Sequence, residues 1–476
     1  MHEFDLICIG SGPAGQRAAV QASKLGKRVA VIEKQACVGG VCIETGTIPS
    51  KTFREAVRRL YAQDHSESGA SHAGAVRPTM ERLMRQVSGV VSRESQVVHD
   101  SLARNDIKVF QGAARFVGPN ELLVSGFNGD ETLKAKRFLI AVGTRPADAR
   151  GVTLDGEIAV TSDSLLNLKR LPRSVVVVGA GVIGIEYASM FAALGLKVTV
   201  VDKRPRPLEF LDHEIVDELI HQLRKVDVTF RCGDGLKSLE ITEGDRKQAL
   251  LELESGKYLI AEMVLISTGR VGCTEGLGLE TVGLTADDRG RIKTDAHFQT
   301  AVPHIYAAGD VIGYPSLAAT SSEQGRLAAL HMFGEETAPL GDRFPIGIYS
   351  IPEISMMGET EEGLTAKKVP YETGIARYNE TARGQILGDH SGMFKMIFHR
   401  DTEKLLGVHC IGSGATELVN IGQAVMLLGG GLDYFINSVF NYPTLAECYK
   451  IAALNAYNKI QLIRKVQKLR EAQRPH

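Results

Sequence analysis

The feature that most limits what this chain can become is a glycine pattern that occurs twice. An apolar run, FDLICIG, enters Gly10-Ser11-Gly12-Pro13-Ala14-Gly15; small residues at helical spacing follow (Ala18, Ala19, Ala22, Leu25), and RVAVIEK ends at Glu33 and Lys34. Further on, SVVVVGAGVIG carries Gly179, Gly181 and Gly184, continues through IEYASMFAALG and ends as KVTVVD on Asp202. Each acid stands eighteen residues after the last glycine of its set. Strand, glycine turn, helix, strand and acid in this order specify a β-α-β unit. Its turn lets backbone approach a pyrophosphate at a helix N-terminus, where unpaired N–H groups and the dipole favour an anion. The carboxylate at the second strand's end is placed to accept ribose hydroxyls. Two such units predict two dinucleotide sites in one chain.

The second site carries mixed signals about its nucleotide. Asp202 favours a free ribose 2′-hydroxyl, because a 2′-phosphate would meet a carboxylate at close range, and that points to NAD(H). Lys203, Arg204 and Arg206 follow at once and can swing onto a 2′-phosphate. The alternative for each is a solvated turn, so NADP(H) stays open beside NAD(H).

A chain of 476 residues predicts several domains with room for a buried cofactor. Fifty glycines and no tryptophan suit an α/β chain with many tight turns. A net charge of −1 gives no overall attraction to nucleic acid or an anionic membrane. No apolar run is long enough to span a bilayer, and the first strand begins near Phe4 with no basic or apolar leader before it. The expectation is a soluble cytoplasmic protein. The seven cysteines are scattered without metal-ligand spacing, which predicts reduced, mostly buried thiols and no metal site.

Between and after the glycine units the pattern is readable in coarse steps. Residues 63–78 are polar and small and read as a loop, whereas Met80, Leu83, Met84, Val87, Val90 and Val91 recur at helical spacing over 80–105. KRFLIAVGTRP contains Thr144 and Pro146, and a domain boundary is placed near there. MVLISTGR, residues 263–270 with Gly269, reads as the strand closing the second nucleotide unit. From about Pro345 the character changes to alternating β segments (MFKMIFHR, KLLGVHCIG), then a helix, then SVFNYPTLAEC. The last residues place Ile460, Ile463, Val466 and Leu469 every third position among Lys and Arg, a basic amphipathic helix expected to pack or fray.

Residues 39–51, GGVCIETGTIPSK, carry Gly40, Cys42, Thr47 and Lys51 and lead into a helical stretch. This segment resembles the active-site helix of the flavoprotein disulfide reductases, in which Cys-x4-Cys exchanges electrons between flavin and substrate. Cys42 takes the first position and Thr47 the second; a threonine hydroxyl forms neither a disulfide nor a stable thiolate. Cys37 and Cys42 also stand five apart, but the glycines and Pro49-Ser50-Lys51 set the register on Cys42. Thr144 lies in the run that resembles the end of the family's first flavin segment. TAVPHIYAAGD, with Gly309 and Asp310, resembles its second flavin motif, whose aspartate binds the ribityl chain. In the family's C-terminal dimerisation domain a His-Pro-Thr supplies a base paired to a glutamate five residues on. Here the residues are Tyr442-Pro443-Thr444 and Glu447. A phenol with an ordinary pKa of about 10 is a poor base for a thiol.

GTIPSK combined with NYPT, GDVIGYPSLA and IGIYSIPEIS resembles the soluble flavin-containing pyridine nucleotide transhydrogenases over about residues 4–457. The resemblance implies an α/β protein with two Rossmann-like dinucleotide-binding domains, the second inserted in the first, and an α+β dimerisation domain. The segments are 1–148 and 273–344 for FAD, 149–272 for NAD(P), and 345–476 for a homodimer or higher homo-oligomer. It implies hydride transfer between NADPH and NAD through FAD, with Lys51 near the flavin and Glu186 as its acidic partner. Cys42 is then a buried remnant or a single reactive thiol. The alternatives are an NAD(P)H dehydrogenase using quinone or oxygen, a lipoamide dehydrogenase-like subunit, and a non-enzymatic flavin-bound subunit.

Overall fold

The computed structural model describes residues 2–64, 79–127, 129–148, 152–242 and 247–472. Two compact units divide the chain: Met1–Leu171 with Leu265–Gly341, and Pro172–Val264 with Asp342–His476. The chain thus alternates between the two units, and each unit is made of two separate segments.

The first unit is built on a seven-stranded sheet in the order Lys108–Gln111, Val29–Glu33, His2–Ile9, Gly129–Ile140, Glu121–Gly126, Ala113–Gly118, with Ile305–Ala307 also pairing Gly129–Ile140. Val29–Glu33 is buried at every position, as a parallel strand covered on both faces requires. The helix Pro13–Lys24 turns Ala14, Ala18, Ala19 and Ala22 inward, and these small side chains let it lie close to the sheet and the helix Ala318–Met332. Residues 80–105 were expected to be helical, and Met80–Ala103 is a helix that Thr79 caps by accepting from the Arg82 N–H. The polar loop expected over 63–78 lies mostly outside the described residues.

One expectation is corrected here. Residues 263–270 do not form a single strand: Met263–Ile266 ends three residues before Gly269, which takes φ +130°, and Arg270–Gly272 pairs antiparallel with Thr144–Pro146 inside the first unit. A glycine at positive φ directly before Arg270 lets the chain turn into the new strand.

The second unit holds three parallel strands, Ser174–Val178, Lys197–Asp202 and Val228–Cys232. The helix Val182–Ala193 is buried from Gly184 through Ala192, so its sequence is apolar all round rather than striped. A three-stranded antiparallel meander follows (Leu236–Thr242, Gln248–Leu253, Tyr258–Ala261), which no sequence signal had marked. The C-terminal part is an antiparallel sheet in the order Ile346–Ile348, Ile354–Gly358, Leu405–Ile411, Met393–His399, Tyr371–Arg377. Helices Ala415–Leu427 and Glu447–Ala472 pack on it. Its core includes Tyr449, which stacks on Phe435 at 5.1 Å, donates to Leu418 O at 2.8 Å and accepts from the Gly422 N–H at 2.7 Å. The expected C-terminal helix divides in use: Ile460 is fully buried, whereas Leu462, Val466 and Leu469 are exposed. Among the described residues no helix is long and apolar enough to cross a membrane.

Candidate functional site

The first glycine turn opens onto a cavity of about 720 Å³ inside the first unit. Gly10 N–H donates to Ile32 O at 2.8 Å, and Gly12 caps the helix that Pro13 begins. A Cβ on Gly15 would lie 1.9 Å from Gly10 O, so only glycine lets helix and turn meet. Gly40 sits at φ +62° with its Cα side against Gly12, where a Cβ would come within 2.9 Å of Gly12 Cα. Glu33 closes the end of the cavity, one carboxylate oxygen accepting from the Ser11 N–H (3.0 Å) and hydroxyl, the other from the Gln35 N–H at 2.8 Å. Lys34, Cys42, Thr47, Thr144, Gly309 and Asp310 line the same cavity. Gly15, Lys51 and Gly269 do not line it.

Cys42 lies on the short helix Val41–Glu44, and Thr47 opens the helix Thr47–Asp64 that also carries Lys51. Burial pushes the Cys42 thiol up from its ordinary range, outweighing a hydrogen bond with Thr47 and the charge of Lys51. At neutral pH it is a protonated thiol. Asp310 is also raised, chiefly by burial, while Arg270, Thr144 and Ser321 pull the other way.

Three lining or supporting residues escaped the sequence reading. Arg270 donates from Nε to Thr144 Oγ1 (2.9 Å), from Nη2 to Thr144 O (2.8 Å) and from Nη1 to Asp163 Oδ1 (3.2 Å), which fixes the Thr144 strand beside the cavity. Glu44 and Asp163 face the same space; burial first, then Glu33 and Asp163, raise the Glu44 carboxyl. Glu44 was in view within residues 39–51, but nothing in its spacing marks it. Arg270 and Asp163 have no sequence signal.

In the second unit the turn repeats the same construction. Gly179 N–H donates to Val201 O at 2.8 Å, Gly181 caps the helix, and Gly184 is buried in its first turn. Asp202 Oδ2 accepts from the Ala180 N–H at 2.6 Å, and Oδ1 from the Arg204 N–H at 2.8 Å. The Arg204 guanidinium lies on the same carboxylate, Nε to Oδ1 at 3.0 Å and Nη2 to Oδ2 at 2.6 Å. Burial alone would raise Asp202; these bonds hold it below its ordinary value. Of the three cations after Asp202, Lys203 is exposed and the two arginines are partly buried. Arg206 pairs with Asp217, so a solvated turn does not describe either arginine. Glu186 is buried, and its Oε1 accepts from the Tyr349 N–H at 2.8 Å, while Ser189 Oγ accepts from the Ile351 N–H at 3.0 Å. The stretch 346–355, singled out earlier, is thus docked on the nucleotide-turn helix.

Two glycine turns of the same construction and a C-terminal antiparallel sheet covered by helices narrow the comparison with known proteins. Residues 4–325 match the model of the pyridine nucleotide-disulphide oxidoreductases, and residues 344–453 match the dimerisation domain of the same group. The chain belongs to this oxidoreductase family.

Within the pyridine nucleotide-disulphide oxidoreductases, it is 51% identical to a soluble pyridine nucleotide transhydrogenase of Mycobacterium tuberculosis, over 97% of this chain and 99% of that one. A soluble pyridine nucleotide transhydrogenase of Salmonella gallinarum is 43% identical over 96% of this chain and 99% of its own length. Among solved structures, the HOCl-induced flavoprotein disulfide reductase RclA of Escherichia coli superposes with a TM-score of 0.85 at 26% identity, covering 94% of this chain and 99% of that chain. Against this oxidoreductase background, Tyr442 is 68% exposed, and Glu447 keeps Oε2 buried with no hydrogen-bond partner among the described residues. Among the described residues no hydrogen bond joins the two side chains into an acid–base pair.

Proposed function

We propose that the protein is a soluble, cytoplasmic, FAD-dependent pyridine nucleotide transhydrogenase that moves hydride reversibly between NADPH and NAD, as a homodimer and without a redox disulfide. The observation that carries this reading is Cys42 beside Thr47 in the wall of one cavity: the position that would hold a second sulfur holds a hydroxyl. In the proposed division, residues 1–148 and 273–344 hold FAD, 149–272 hold NAD(P), and 345–476 form the dimer.

The cavity's fit to FAD rests on its own donors and acceptors. Glu33 would accept from ribose hydroxyls, the Gly12 helix start would take a pyrophosphate, and Asp310 with Thr144 would hold a polyol. FAD, when bound, supplies a group that accepts and returns hydride. Lys51 adds positive charge on the redox-segment helix, and Glu186 orders the start of the 349–351 segment by accepting its backbone N–H. Cys42, its thiol pushed up by burial, stays protonated and so moves no proton for thiol exchange.

The test is anaerobic. NADPH should bleach the flavin absorbance of the purified holoenzyme, and added thio-NAD should restore it with formation of the reduced analogue. Restoration by quinone or oxygen, with none by thio-NAD, would replace this reading with an NAD(P)H dehydrogenase.

A further inference from the structure

The two glycine turns provide an internal comparison. At the first, Glu33 is held by backbone and hydroxyl donors and makes no ion pair among the described residues. At the second, Asp202 accepts four hydrogen bonds, and two of them come from one guanidinium. A carboxylate has roughly four lone-pair sites, so Asp202 as it stands has no acceptor left for a ribose hydroxyl. The guanidinium is not parked in solvent either: a Cβ built on Gly181 would lie 3.9 Å from Arg204 Nη2, which places the group over the glycine turn. Its side chain is nevertheless 41% exposed, so an outward rotamer is open to it.

We propose that Arg204 is a two-position arm through which one adenosine site takes both nicotinamide nucleotides. Folded onto Asp202, it neutralises the carboxylate and offers its remaining N–H donors to a 2′-phosphate. Swung outward, it uncovers Asp202 for a free 2′-hydroxyl. Arg206 takes no part, being held by Asp217, while exposed Lys203 adds charge in the folded position. A 2′-phosphorylated nucleotide therefore binds the resting geometry, whereas its unphosphorylated counterpart must first break the Arg204–Asp202 pair. This rests on the reading that the second turn holds the adenosine end of the nicotinamide nucleotide.

The test uses the FAD-loaded protein and two ligands that differ only in the 2′ group, adenosine 2′,5′-bisphosphate and 5′-AMP, measured by calorimetry. Arg204→Ala should weaken the bisphosphate by about 10–100-fold and tighten 5′-AMP, since the masking pair is gone. Arg204→Lys, which keeps charge but not the two-pronged grip, should fall between wild type and Arg204→Ala for the bisphosphate. Equal weakening of both ligands would reduce Arg204 to a prop for Asp202 and overturn the arm. So would unchanged affinities. Neither ligand carries a nicotinamide, so a failure of the arm is read separately from a failure of hydride transfer.

Discussion

Arg270 illustrates how one side chain organises a binding wall. Its three donors tie Thr144 and Asp163 together, and its charge opposes the burial that raises Asp310. Methionine there would fill much of the volume but leave the Thr144 carbonyl and Asp163 without that partner. Such a loss costs about 1.5–3 kcal/mol for bonds to a charged group. Arg270→Met should therefore retain the fold and release flavin at lower denaturant concentration, measured by flavin fluorescence; flavin retention equal to wild type would refute the assigned role. Sterics act as sharply at Gly15. Alanine would press Cβ into Gly10 O, and Gly15→Ala should purify with markedly less bound flavin, read from the ratio of visible to ultraviolet absorbance.

At the scale of elements, the helix His213–Lys225 is anchored through its cap. Asp212, the N-cap, accepts from the Glu214 N–H and from Lys395 Nζ at 2.9 Å. Lys395, itself fully buried in the strand Met393–His399, also meets Glu214 and Glu361. Burial alone would lower Lys395; its carboxylate partners outweigh that and keep it charged. Removing the cation strands buried negative charge, so Lys395→Met should destabilise the protein by about 3–5 kcal/mol in urea unfolding. His409, paired in register with Lys395, is held below its ordinary 6.5 by burial first, with Lys395 adding and Asp212, Glu362 and the Glu359 carbonyl opposing. The unfolded chain therefore binds this proton first. The stability contribution is complete above about pH 6.5 and declines as pH falls below it. His409→Gln should flatten the loss of urea midpoint between about pH 7 and 5; an unchanged slope would assign that pH dependence elsewhere.

For the whole molecule, the segment matched to the dimerisation domain carries apolar side chains left almost fully exposed in the single chain. Val439 is 94% exposed and Leu428 88%, both inside the segment matched to that domain. Val439→Asp should shift sedimentation toward the monomer, and an unaltered dimer would exclude Val439 from the interface. What the amino-acid order alone encodes shares one property: it is local. Glycines at 10, 12 and 15 and again at 179, 181 and 184, with acids eighteen residues on, are demanded by a backbone that must turn beside an anion, so order along the chain already encodes them. The Cys42–Thr47 spacing is local in the same sense. The remaining features join residues far apart: Arg270 reaches Thr144 across 126 positions, and Lys395 reaches Asp212 across 183. Arg204 is near Asp202 in sequence, yet its choice between solvent and carboxylate depends on the glycine turn beneath it. Such pairs leave no period or spacing to detect, because their energies arise from burial and charge, and both exist only once distant segments have packed.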